Sequence, residues 1–553
     1  MMERSWIILV GMVVFGVGAL TASAGTLHPD LQSQLGRLHP AEEISIIVTL
    51  ADQQNLHQFT DRDQKMRRTK IIRALRDKAD KTQKPLREFL LNKHVRKITP
   101  FWIFNGMAVT LRADQVSELV ARPEIGSLRL DTTLTLPEPS PATTSGPAEW
   151  NLSAVNAPYL WELGFTGSGV VIASMDTGVD VLHPDIGPQW RGGANSWYDP
   201  NGEHETTPYD ADGHGTGVMG IMVGGDAGGT AIGVAPGAQW IAVKIFNDAG
   251  VAGYSGIHAG FQWLLDPDNN AETDDAPDLV NNSWGFKDNP GECLTEFLPD
   301  VQVLMAAGIG VIFSAGNGGP NAATSVSPAN YPESFATGAV DRTRTITSFS
   351  ARGPGPSACG GGVFPDVVAP GDTIRTADLT LQGTSPDPYA TVSGTSFAAP
   401  HVAGAMALLL SAGPDLSIAE LEVLLAASAV DLGEPGPDNE YGNGLVDVAA
   451  AAHVLFAIYP LTVQITGKGR GSVTSDPPGI TCPADCAKES IAGTGVTLTA
   501  VPAAGSTFTG WSGACGGKET TCQLTMDQAQ DVSAGFYSFP WSLFVPARSG
   551  GQR

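Results

Sequence analysis

Ser396 stands in Ser393-Gly394-Thr395-Ser396-Phe397-Ala398-Ala399-Pro400-His401-Val402-Ala403-Gly404, where small residues lead into an apolar run rich in Ala, Leu and Met. The run predicts a buried helix that starts near Ser396 and aims its N-terminal amides at that serine, a setting that favours developing negative charge. A serine hydroxyl is inert near neutral pH. It becomes a nucleophile when a base lies within hydrogen-bond reach and a third group holds that base in the right tautomer. Upstream, Val170-Val171-Ile172-Ala173-Ser174-Met175-Asp176 reads as a buried strand ending in a carboxylate, followed by the turn Thr177-Gly178. His214 lies in Asp212-Gly213-His214-Gly215-Thr216-Gly217, whose glycines predict close backbone approach, ahead of an apolar helix-like run over 218–223. Singly, a buried His or Asp is more often structural. The order Asp, His, Ser joins the three, because it matches one of the chain orders in which a nucleophilic serine is known to be activated.

Such groups must be held by a scaffold. Strand-like runs at 170–174, 240–245, 279–282, 311–314 and 335–340 alternate with Ala- and Gly-rich helical runs. This pattern predicts an α/β fold, a parallel sheet with helices on both faces. Ligands in such sheets bind beyond the carboxyl ends of the strands, and Asp176, Ser283 and Asn317 each closely follow one of these runs.

The three motifs, together with Val280-Asn281-Asn282-Ser283-Trp284-Gly285, Phe313-Ser314-Ala315-Gly316-Asn317-Gly318 and Pro328-Ala329-Asn330-Tyr331-Pro332, resemble those of the subtilase family of serine peptidases. The likeness is to the bacillopeptidase F type and covers about 150–455. Six motifs in the family's order are a specific signal. The resemblance implies a subtilisin-like sheet with Ser396 as nucleophile, His214 as general base and Asp176 orienting the imidazole. It also implies an oxyanion hole built from the Asn317 side chain and the Ser396 backbone amide. Substrate would add as a strand between two edges, one carrying Gly253 and the other Ser283, Trp284 and Gly285. Trp284 reads equally well as ordinary core. Two positions depart from the family pattern: Gly217 stands where a second histidine is usual, and Phe397 where a methionine is usual. Both bear on packing and specificity rather than on the chemistry.

The expectation is a secreted serine endopeptidase, made as a zymogen, that hydrolyses protein or peptide substrates through an acyl-enzyme on Ser396. The alternative is an inactive subtilase scaffold with a binding role. An esterase would share the chemistry but not the motif order.

The 553 residues are 42% hydrophobic with 66 glycines and 39 prolines, which fits a loop-rich chain of more than one domain. The formal charge of −25 is uneven. Residues 25–150 hold 18 Lys+Arg against 15 Asp+Glu, and residues 151–553 hold 13 against 41. The acidic part would repel nucleic acid and anionic membranes. Residues 1–24 read as a cleaved signal peptide, with Arg4, an apolar stretch and Ala22-Ser23-Ala24, so the expected location is extracellular or periplasmic, with no membrane attachment after cleavage.

Residues 25–140 read as a small α+β prosegment, an intramolecular inhibitor by resemblance. It has strands at 44–50, 106–111 and 125–130 and a basic helical region over 61–97 with a break at Pro85. Residues 141–150 close a proline-rich linker that starts near Leu134, and maturation cleavage is expected in or just before it. The catalytic domain spans 151–457, a small β-rich domain resembling an appended bacterial repeat spans 458–538, and a tail runs over 539–553. Six cysteines in an exported chain predict disulfides, with Cys482 and Cys486, and Cys515 and Cys522, pairing locally and Cys293 and Cys359 left to pair in the catalytic domain. The chemistry requires no cofactor. Acidic loops at 199–212 and 266–278 leave structural calcium open, but neither has a defined calcium-loop spacing and no metal ligands are assigned.

Overall fold

The computed structural model describes residues 25–136 and 150–538. The signal segment, most of the linker and the tail lie outside the described residues. The chain divides into two compact units, one formed by the stretches ending at Asn55 and spanning Ala74–Thr132, the other by Leu56–Arg73 and everything from Thr133 onward.

The first unit is a five-stranded sheet with helices. Its elements in chain order are β1 (Thr26–Leu27), α1 (Pro29–Leu35), β2 (Glu43–Leu50), the second half of α2 (Gln64–Thr82), α3 (Lys84–Asn92), β3 (Lys97–Phe101), β4 (Gly106–Arg112), α4 (Val116–Val120) and β5 (Ile125–Leu130). The sheet order is β1-β5-β2-β4-β3. Alternation along β2 places Ile44, Ile46 and Val48 in a core with Leu86, Val109 and Leu128. The helical break falls at Gln83, because Pro85 has no amide proton to continue the first helix and instead sits in the first turn of the second.

The second unit opens with β6 (Thr133–Thr135), α5 (Trp150–Ala154) and α6 (Ala157–Glu162), followed by β7 (Val171–Asp176), β8 (Trp197–Tyr198), α7 (His214–Val223), β9 (Gln239–Lys244), β10 (Val251–Gly253), α8 (Tyr254–Leu265), β11 (Leu279–Asn282), α9 (Leu298–Ala306), β12 (Gly310–Ser314) and β13 (Phe335–Val340). It continues through β14 (Val367–Pro370), β15 (Ile374–Ala377), β16 (Tyr389–Val392), α10 (Thr395–Ala412), α11 (Ile418–Ser428) and α12 (Val448–Leu455). Seven strands form one sheet in the order β14-β13-β12-β11-β7-β9-β8, every neighbouring pair parallel. All five expected strands are present. The expectation did not include β8 and β14, the two outermost strands, which are only 2 and 4 residues long.

Helices cover both faces. Ile172, Trp240 and Ala242 belong to a core with residues of α7, α10, α11 and α12. Alternation sends Met175 and Val243 to the other face, where they come so close to Gly260 of α8 that a Cβ there would lie within about 3 Å of both. Burial on both faces explains why these strands are largely apolar rather than alternating, with polar residues such as Asp176, Asn281 and Asn282 gathered toward their carboxyl ends. Beyond α12, the strands between Ile458 and Ser538 form two four-stranded sheets around a core that includes Leu461, Val473, Leu498, Trp511 and Phe536.

Three disulfides tie the chain, Cys293–Cys359, Cys482–Cys486 and Cys515–Cys522. The first joins the loop after β11 to the short 3-10 turn Ser357–Cys359.

Candidate active site

The carboxyl ends of β7, β11 and β12 form one rim, and Asp176, Ser283 and Ser314 stand on it at or just past their strand ends. Asp176 is 1% exposed; its Oδ1 accepts from the Thr177 amide at 2.7 Å and lies 2.7 Å from His214 Nδ1. His214 is the first residue of α7. The helix starts this close to β7 because Gly215 has no side chain: a Cβ there would lie 2.2 Å from the Gly178 carbonyl oxygen. The bond to Asp176 makes Nδ1 the protonated nitrogen, and Nε2 is left buried without a hydrogen-bond partner. Burial disfavours the charged imidazolium. The charge and hydrogen bond of Asp176, with Asp212 and Asp210 nearby, outweigh that cost and raise the His214 pKa above the ordinary imidazole value.

Ser396 is the second residue of α10, so the helix begins where the apolar run predicts. Its main-chain carbonyl is freed by a residue one turn on: Pro400 lacks the amide hydrogen that would bond it. The Ser283 hydroxyl donates to that carbonyl at 2.7 Å, while the Ser396 hydroxyl donates to the Ser283 carbonyl at 3.3 Å. The two serines thus lock the first turn of α10 to the segment after β11.

Asn317 is oriented by the same turn. Its Oδ1 accepts from both the amide and the hydroxyl of Thr395, at 3.0 and 2.8 Å, which leaves its Nδ2 as the group free to donate elsewhere. Thr395 is a residue that sequence reasoning missed, although it adjoins the serine in the motif.

Ser396 and Asn317 line a pocket of about 230 Å³ together with Trp284, Gly285, Lys287, Pro290, Ser314, Gly316, Gly318, Val326 and Thr395. Trp284 is placed as core residues are, and its expected part in a substrate edge belongs to the proposed function. It is 1% exposed and packs edge-on against Phe297 and Phe313, at ring distances of 5.7 and 5.4 Å, and it also forms pocket wall. Lys287 and Pro290 were not expected, because they lie on the loop that the Cys293–Cys359 disulfide ties down. Gly253 ends β10, and β10 already carries an added strand: β6 pairs with it antiparallel, Leu134 opposite Ala252 and Thr133 opposite Gly253, and the Leu136 amide donates to the Gly250 carbonyl at 3.1 Å.

The two departures from the family pattern meet each other. A Cβ at Gly217 would lie 3.5 Å from the Phe397 ring, and that ring is 5.3 Å from the His214 ring. The large side chain at 397 takes up space that the missing one at 217 leaves open.

In the first acidic loop Glu203 and His204 converge with Asp248 within 4.8 Å, while two other carboxylates are spent on the backbone. Asp199 accepts from the amides of Asn201, Glu203 and His204, and Asp210 from those of Asp212, Gly213 and Thr216. In the second loop, oxygens of Asp266, Asp268 and Asp275 converge within 4.8 Å.

A seven-stranded parallel sheet, with an Asp–His pair and a helix-borne serine in that chain order on its carboxyl rim, defines a subtilisin-like α/β domain. The chain belongs to the subtilase family, whose sequence model matches residues 167–444. Bacillopeptidase F of Bacillus subtilis is 36% identical over 422 residues, which are 69% of this chain and 28% of that protein. Subtilisin E of the same organism is 35% identical over 355 residues, 64% of this chain and 82% of that protein. Subtilisin of Bacillus pumilus is 36% identical over 306 residues, 55% of this chain and 98% of that protein. The chain therefore spans under a third of bacillopeptidase F but most of the subtilisins. Residues 461–539 match a divergent InlB B-repeat domain.

Proposed function

We propose that this chain is an exported serine endopeptidase made as a zymogen. The observation that carries the reading is the buried Asp176–His214 bond, which leaves Nε2 unpartnered on the rim that also carries Ser396 and Asn317. Rotation of the Ser396 side chain away from the Ser283 carbonyl would present its hydroxyl to Nε2. His214 then takes the proton as Oγ attacks the peptide carbonyl and returns it to the leaving amine; water, activated by the same base, hydrolyses the acyl-enzyme. Asp176 keeps Nδ1 protonated and stabilises the imidazolium. The Asn317 Nδ2 and the Ser396 amide donate to the oxyanion, supported by the N-terminus of α10.

Substrate adds as a strand to β10, with Ser283, Trp284 and Gly285 as the opposite edge, and β6 occupies that place in the uncut chain. Residues 25–140 are thereby the chain's own inhibitor. Among the described residues, Lys287 is the one charged side chain lining the pocket, so basic side chains are disfavoured there. The chemistry calls on no cofactor, and any calcium would act on the fold. Three disulfides fit export to an oxidising compartment, extracellular or periplasmic.

Intact mass and N-terminal sequencing of the secreted protein, wild type beside Ser396→Ala, test this reading. Loss of residues up to the 134–150 region in the wild type alone is the expected result. A Ser396→Ala protein that still digests casein would overturn it.

A further inference from the structure

Leu56–Arg73 precedes most of the prosegment's own fold, yet it packs with the second unit. Arg68, in the first half of α2, is 5% exposed; its Nη1 lies 3.2 Å from Asp274 Oδ1 and its Nε donates to the Ala307 carbonyl at 3.5 Å. The Thr69 hydroxyl donates to the Ala271 carbonyl at 2.8 Å, Gln64 Nε2 donates to the Gly308 carbonyl, and Arg73 pairs with Glu272. Gly308 is shaped for this contact. Its φ of +80° suits a residue without a side chain, and a Cβ there would come within 2.7 Å of both Arg67 and Gln64.

The position of these contacts gives them meaning. Residues 271–274 lead into the amino end of β11 and residues 307–308 into the amino end of β12, whereas the candidate catalytic groups stand at the carboxyl ends of the strands. Gln64 lines a cavity with Leu410 and Ser411, at the far end of the helix whose first turn holds Ser396. At a rise of about 1.5 Å per residue, that helix separates the two places by about 25 Å.

We propose that residues 271–274 with Ala307 and Gly308 form an exosite whose occupant is the basic stretch 64–73 of the chain's own prosegment. The inference rests on the zymogen reading and deepens it: besides β6 in the cleft, residues 64–73 give a second hold at the opposite rim, and that hold slows the departure of a cut prosegment. Charge supports the match, since residues 61–97 carry 14 Lys+Arg against 5 Asp+Glu and the partner loop is acidic.

The test uses the full chain with Ser396→Ala and a recognition site for an added protease placed in the 137–149 linker. After cutting by that protease, the rate at which the prosegment leaves is followed by size exclusion. Asp274→Asn and Arg68→Ala are each expected to speed release by about tenfold, and the double variant by clearly less than the product of the two, because each breaks the same ion pair while Arg68 alone also donates to Ala307. Asp274 is half-exposed, so its variant keeps the proposal testable if Arg68→Ala does not fold. Unchanged release in Asp274→Asn, or fully additive effects, would overturn the exosite. Because the added protease makes the cut, this result stands apart from the peptidase reading, which falls separately if the wild type neither matures nor hydrolyses protein.

Discussion

In the proposed oxyanion hole the two ends of the Asn317 amide have different tasks. Thr395 holds Oδ1 with two hydrogen bonds, so the orientation of Nδ2 is fixed before any oxyanion forms, and a donor that needs no reorganisation acts mainly in the transition state. Asn317→Ala is expected to lower kcat by about a hundred- to a thousandfold, the range established for the equivalent kind of loss in subtilisin, with KM little changed. A rise in KM at preserved kcat would assign Asn317 to ground-state binding instead. As the proposed general base, His214 would set the pH dependence. Only neutral imidazole accepts a proton, and the nearby carboxylates hold its pKa above the ordinary value of about 6.5, so kcat/KM should rise with pH through a limb above that value. Asp212→Asn removes one of those carboxylates and should shift the limb toward lower pH in a kcat/KM profile. An unmoved limb would mean that Asp212 does not act on His214.

Among the elements, α10 does the most positioning. Thr395–Ala412 is apolar on all sides and buried over nearly its whole length, as expected of a helix packed in the middle of a large core. The result is a fixed N-terminus for Ser396, pinned further because Pro400 gives the Ser396 carbonyl to Ser283. The loop after β11 is held differently. Cys293–Cys359 closes a separation of 66 residues, Cys482–Cys486 one of only 4. In the chain-entropy model the longer closure contributes about 4 kcal/mol and the shorter about 2. Replacing Cys293 and Cys359 by Ser should therefore lower Tm more than replacing Cys482 and Cys486. It should also raise KM for peptides, since Lys287 and Pro290 of the same loop line the pocket. Differential scanning calorimetry with peptide kinetics checks both, and an equal fall in Tm for the two pairs would contradict the ranking.

For the whole molecule, local pattern went far. Strands buried on both faces are mostly apolar runs, so all five were legible, β11 despite ending in Asn281 and Asn282. Parallel strands bring their carboxyl ends to one rim, so pattern alone placed Asp176, Ser283 and Asn317 together. Of the two outer strands, β8 was not legible because two residues carry too little periodicity, and β14 ends in Pro370, a residue that argues against a strand. The sequence by itself determined the sheet, the helix that begins at Ser396, the chain order of the polar groups and the cysteines close enough to pair locally, all of which depend on neighbours along the chain. Only the tertiary structure decided that Thr395 orients Asn317, that Phe397 fills the space beside Gly217, that Cys293 reaches Cys359, and that residues 64–73 pack on the rim opposite Ser396. Each of these depends on distances between segments far apart in the chain, and no local propensity encodes them.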